Sequence, residues 1–140
     1  MFAGSVEETR GFFLGVWRKM HASEQMEPLE KLVAEIIGAH PEYHQLLDKP
    51  ARAMQAGESG EANPFLHMGL HIALIEQLQT DRPNGVRAIY QQLVSNSSTD
   101  HHAVEHQMME CLAEALWNAS RNGQPPDEQN YLQALKQLLA

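Results

Sequence analysis

Apolar residues recur at helical spacing along most of this chain, most clearly between residues 63 and 80. Leu70 and Leu74 belong to a stripe in which an apolar side chain returns every three or four positions, which is the period of an amphipathic helix. Asn63 is a favourable N-cap, and Pro64 suits the first helical turn, where its missing N–H is not needed. The same reasoning predicts helices over about 6–20, 28–37, 41–48, 83–94, 101–121 and 127–139.

No segment alternates apolar and polar residues in the way a half-buried strand does. The chain is therefore predicted to be all-α, an irregular helical bundle of six to seven helices, four of which form the body. A length of 140 residues fits a single helical domain, 1–140. The stretch 49–62 is rich in small and polar residues, so we expect a flexible internal loop there, either a plain surface connection or a flap over a site.

The charge balance excludes some classes of partner. Ten Lys and Arg residues against 18 Asp and Glu residues give a formal net charge of −8, which argues against nucleic acid and anionic membrane surfaces as partners. Cys111 is the only cysteine, so no intrachain disulfide can form. The sequence has neither a signal-peptide pattern nor an apolar run that would span a bilayer, and we expect a soluble, cytoplasmic protein.

Histidine is the residue type that most needs an explanation, since the chain has eight. His67 and His71 fall within the apolar stripe of the 63–80 helix, so both are predicted to point into the core. Side chains four residues apart on a helix are neighbours and can share a metal ion. A buried pair without any partner would leave polar ring nitrogens unsatisfied, at a cost in free energy.

Two further spacings repeat this pattern. His102, His106 and Glu110 follow one another on the longest helix, and His40 and His44 flank the HPEYH turn. An i, i+4 pair on each of two helices supplies four ligands, and imidazole with carboxylate suits zinc, iron or manganese. The predicted ligands of this transition metal ion are His67, His71, His106, Glu110, His44 and His102.

Each of these residues also has a simpler interpretation. His106 and Glu110 lie at the edge of their helix's apolar face and would serve equally as an intrahelical ion pair. His102 lies in a first turn, where exposure is the default. His40 would orient the corner before the following proline, and His44 would bond the carboxylate four residues on.

The common sequence motifs of catalytic sites are absent from this chain. It contains no GxSxG, no GxxxxGK and no HExxH, and the paired ExxH motifs of ferritin-like di-iron bundles are missing. An unassisted hydrolase or transferase is therefore poorly supported, and the sequence assigns no enzymatic activity.

Several stretches resemble a small bacterial family catalogued as a domain of unknown function. They are FFLGVWRKM, HPEYH, NPFLHMGLH, DRPNGVRAIY, EHQMMECLAEALW and GQPPDEQNYL. A looser similarity, carried by the His67 and His106 pairs, is to hemerythrin-like and DinB-like bundles, whose histidines and carboxylates hold one or two metals. That similarity implies a second carboxylate, for which Asp48 and Glu114 are the candidates.

The sequence thus predicts a helical protein that binds a transition metal through His and Glu. An ion with an open coordination position would bind oxygen, sense redox state or activate water. The alternative is a non-enzymatic protein–protein interaction module, with a buried histidine hydrogen-bond network and with Met108, Met109 and Trp117 as contact residues. A homodimer, a different protein partner and a small molecule are all left open.

Overall fold

A computed structural model describes residues 6–56, 63–96 and 100–140, and within these ranges the chain is helical without any strand. The elements are α1 (Val6–Ala22), α2 (Pro28–Gly38), a 3₁₀ turn (Pro41–Tyr43), α3 (His44–Leu47), α4 (Pro50–Ala53), α5 (Pro64–Thr80), α6 (Val86–Asn96), α7 (His101–Asn122) and α8 (Glu128–Gln137). The all-α prediction is confirmed. The described ranges contain eight α-helices, rather than six to seven, because two of them are single turns.

Local capping explains where the longer helices begin and end. Asn63 accepts from two amides at the start of α5, Asp100 caps α7 through the amide of Ala103, and Asp127 caps α8. Helix α7 ends at Gly123, whose φ of 64° lies in the left-handed region that glycine adopts without steric cost. These signals are local in sequence, which is why the pattern predicts them well.

Contacts between helices divide the chain into two units, Met1–Ile72 and Ala73–Ala140, and α5 contributes residues to both. The single domain expected from the chain length stays a prediction. None of the helices in the described ranges combines the length and the apolar character that crossing a bilayer requires.

In the first unit, α1 and α2 pack together around a buried apolar core. Arg10 on α1 is itself buried, and its guanidinium donates to the backbone oxygens of Ala53 (3.0 Å) and Ala56 (2.8 Å). The expected loop over 49–62 therefore contains a helical turn, α4, that is tied down by a residue more than forty positions earlier. Residues 57–62 lie outside the described part of the chain.

In the second unit, α7 packs against α6 and α8. Met108 and Met109 are buried on α7, so they are core residues and not part of a contact surface. Tyr131 of α8 donates its hydroxyl to the side-chain oxygen of Gln77 at 2.7 Å. Burial raises the pKa of Tyr131, and Cys111 adds to the shift, so this phenol stays neutral.

Candidate metal centre

Three histidines of the first unit, His40, His67 and His71, form what we call the buried histidine group. His40 has no exposed surface, His71 is 2% exposed and His67 is half-buried. The Nε2 atoms of His40 and His67 are 3.1 Å apart, and the ring centroids of His40 and His71 are 5.3 Å apart with perpendicular planes. A ring nitrogen of His40 lies within 4.8 Å of one of His71. The inward orientation predicted for the α5 histidines is thus observed, most fully for His71.

His40 is oriented by the end of α2. Its Nδ1 lies 2.7 Å from the backbone oxygen of Ile36, and a carbonyl only accepts, so Nδ1 carries the ring proton. In the neutral ring Nε2 then bears the lone pair, and this is the atom that faces His67. Metal-binding histidines are held in the same way, with one ring N–H donated to a carbonyl and the other nitrogen left to the metal.

Tyr43 covers one side of this group. Its ring stacks on His40 with the centroids 5.5 Å apart and the planes 8° from parallel, and it lies 6.1 Å from the ring of His67. Burial raises the pKa of the Tyr43 phenol, and the carboxylate of Glu42 adds to the shift. The face beside His40 is therefore a neutral aromatic surface.

His44, a predicted ligand, is oriented differently from His40. Its Nε2 lies 2.8 Å from the backbone oxygen of Ile37, so Nε2 is the donor, and its ring lies 4.6 Å from that of Trp17. The expected bond from His44 to Asp48 is not observed, since His44 donates to Ile37 instead, and Asp48 accepts from the indole N–H of Trp17 at 2.8 Å. The structure therefore does not bring His44 into the buried histidine group.

The second unit has its own histidine pair on α7. The Nε2 atoms of His102 and His106 are 2.8 Å apart, and both rings are half-buried, so the exposure expected for His102 is not observed. Glu110, the predicted carboxylate ligand, is exposed. His106 therefore meets the histidine one turn before it rather than the glutamate one turn after it.

The Nε2–Nε2 distances of His40 with His67 and of His102 with His106 fit coordination of a metal. With metal–nitrogen bonds of about 2.0–2.1 Å, a 3.1 Å separation corresponds to an angle at the metal of about 100°, and a 2.8 Å separation to roughly 85°. Tetrahedral and octahedral ions have angles in this range. The same separations also suit a hydrogen bond between two neutral imidazoles, in which one N–H donates to the other ring's lone pair.

The sequence-based ligand set omits His40. The position of His40 in the sequence could have identified it. His40 follows the last turn of α2 and precedes a proline, where a side chain can cap the helix end.

Comparison with protein families gives one match, which covers residues 5–137 and agrees with the resemblance carried by the quoted stretches. Comparison with curated proteins found no match, and comparison with solved structures found none either. The looser similarity to hemerythrin-like and DinB-like bundles stays a prediction. With nearly its whole length matched, the chain belongs to the family described as a domain of unknown function, DUF1841.

Proposed function

We propose that this protein binds a transition metal ion through histidine side chains. The observation that carries the proposal is the orientation of His40, whose proton is committed to the carbonyl of Ile36 and whose Nε2 lies 3.1 Å from Nε2 of His67. His71, fully buried beside His40, adds a third imidazole. Three imidazoles with converging nitrogens are a donor set that zinc accepts readily.

The donors favour a metal that prefers nitrogen. The proposed ligands are the predicted His67, His71, His102 and His106, with His40 added. Glu110 is exposed and His44 donates its Nε2 to a backbone carbonyl, so neither adds to the support. Neutral imidazole suits zinc, copper, iron and nickel, whereas manganese prefers oxygen ligands. Zinc is therefore proposed first, iron second and manganese last.

Metal content of tag-free protein tests this proposal directly. We expect bound metal in freshly purified wild type, or stoichiometric uptake of added zinc, measured by elemental analysis after dialysis. The double variants His67→Ala/His71→Ala and His102→Ala/His106→Ala should both lose metal, and the metal-to-protein ratio counts the ions.

The matched control is His21→Ala. His21 is exposed and its Nδ1 bonds the backbone oxygen of Trp17, so removing it should leave the metal content unchanged. Folded wild-type protein that takes up no metal would contradict the proposal. The histidines would then form only a hydrogen-bonded network.

A second function, contact between two copies of the chain, has one observation in its favour. Trp117 is 59% exposed and Leu116, the preceding residue of α7, is 40% exposed, so this end of α7 presents a large apolar area to solvent. Arg121 lies over the Trp117 ring at 4.6 Å. A homodimer formed through this patch should dissociate in Trp117→Ser, and sedimentation velocity of both proteins would measure it.

A further inference from the structure

A cleft with a volume of about 720 Å³ lies between the second half of α7 and the start of α8, within the second unit. This volume falls in the range of about 300–1,000 Å³ that is usual for small-molecule sites. Among the residues that the structure describes, no histidine lines the cleft, so it is separate from the proposed metal ligands.

Small side chains keep the cleft open. Ala115 and Ala119 of α7 and Ala134 of α8 line it where larger residues would fill the space. Tyr131 also lines it, but its hydroxyl is bonded to Gln77 and its ring is buried. The alanines and the Tyr131 ring therefore give the cleft an apolar part that is held in place.

The polar part of the lining has a single charge sign. Glu114 and Asp127 contribute carboxylates, and Asn118, Asn122 and Asn130 contribute amides. Within the described part of the chain, no Lys or Arg lines the cleft. An anion would meet two like charges there and no counter-charge. A ligand with several N–H donors and a positive charge would instead find acceptors on both helices.

We propose that this cleft binds a small organic cation carrying ammonium groups, of the diamine or polyamine class. Its methylene chain would lie against the alanines, and its ammonium groups would donate to Glu114 and to the side chains at the start of α8. Asp127 already accepts from the amide of Asn130 through one oxygen at 3.0 Å, and its second oxygen takes no part in that cap. Binding is non-covalent.

Cys111 provides a specific chemical block, because it lines the cleft and is the only cysteine of the chain. Burial, with help from Glu114 and Glu110, raises the pKa of its thiol, so alkylation is carried out above neutral pH. We expect wild type to bind spermidine in a titration calorimeter and the N-ethylmaleimide adduct to lose at least tenfold in affinity. The variant Cys111→Ala, treated in the same way, should bind spermidine like untreated wild type.

Charge-neutralising variants separate the cleft from the acidic surface as a whole. Glu114→Gln should weaken spermidine binding several-fold. Glu76→Gln, which removes the same charge from α5 in the same unit, should leave it unchanged. Circular dichroism confirms the fold of each protein, and Glu114→Gln keeps the test decisive should the maleimide adduct unfold.

Three results would overturn the inference. Unaltered binding by the adduct would remove the cleft as the site. Equal weakening by the two glutamate variants would indicate general attraction to a chain of net charge −8. Displacement of spermidine by magnesium chloride but not by sodium chloride of equal ionic strength would indicate a divalent-cation site instead. The metal proposal is unaffected, since the histidine variants should bind spermidine normally.

Discussion

Replacing His40 by leucine separates the two roles that the structure gives this residue. The ring anchors the end of α2 through Nδ1 and presents Nε2 to His67. Leucine has a comparable volume and fits an apolar site, but it has no nitrogen. His40→Leu therefore removes the buried hydrogen bond to Ile36, the Nε2 contact with His67 and one proposed ligand, without opening a large cavity.

The expected cost without metal follows mainly from the bond to Ile36, because His67 is only half-buried and can bond water in place of His40. A net hydrogen bond contributes about 0.5–1.5 kcal/mol, and a buried carbonyl left without its donor costs about 1–3 kcal/mol. We therefore expect His40→Leu to lower the free energy of unfolding of the metal-free protein by about 1–3 kcal/mol. For a chain of this size, that lowers Tm by roughly 3–10 °C.

Added zinc then distinguishes a ligand from a merely structural residue. At a free zinc concentration of 100 times Kd, zinc that binds only the folded state stabilises wild type by about 2.7 kcal/mol. His40→Leu should show little of this gain. Thermal unfolding of each protein, with chelator and with zinc, measures both quantities.

His44→Leu is the matched control, because His44 also donates a ring N–H to the end of α2. Its acceptor, the carbonyl of Ile37, also accepts from the backbone N–H of His40 and so stays satisfied in the variant. We expect a smaller loss of about 1 kcal/mol and the full zinc response. Equal zinc responses in His40→Leu and wild type would refute the assignment of His40 as a ligand.

Four further substitutions test the fold. Arg10→Met removes the buried guanidinium and both its carbonyl bonds, and should lower the free energy of unfolding by about 2–4 kcal/mol in urea titrations. Asp100→Ala, which uncaps α7, should cost about 1 kcal/mol, most of it restored by asparagine. Gly123→Ala places a side chain at φ 64° and should cost about 1–2 kcal/mol. The pKa of Glu30 is lowered by Lys19, whose Nζ lies 2.6 Å from the carboxylate, and by the backbone N–H of Glu27. The stabilisation from this pair is therefore present above the ordinary glutamate pKa of about 4.3 and is lost as the pH falls through the lower pKa of the folded state. Glu30→Gln should flatten the dependence of unfolding midpoint on pH in that acidic range.

The helices were predictable because their determinants are local. Asn63, Asp127 and Gly123 act on amides and carbonyls within a few positions, and the apolar stripes between them follow the helical period. The helical turn inside 49–62 was not predictable in this way. The turn is held to α1 by Arg10, which lies far away in sequence and whose burial only the folded chain reveals.

The candidate site was predictable only in part, for a geometric reason. A helical residue has neighbours four positions before it and four positions after it, so the sequence alone pairs His106 equally well with His102 or with Glu110. The choice between them depends on which side of α7 is buried. His102 is half-buried and Glu110 is exposed because of the way α7 packs against its neighbours. The sequence pattern of a single helix does not contain that information.

The contrast between His40 and His44 has a more general consequence for histidine as a ligand. Both rings serve the end of the same helix, and both give a proton to a backbone carbonyl, yet His40 does so through Nδ1 and His44 through Nε2. Only the first arrangement leaves Nε2, the nitrogen furthest from the backbone, with its lone pair directed at another imidazole. The carbonyl that each ring meets therefore selects the tautomer, and the tautomer decides which of the two histidines presents the lone pair of Nε2 to the proposed metal.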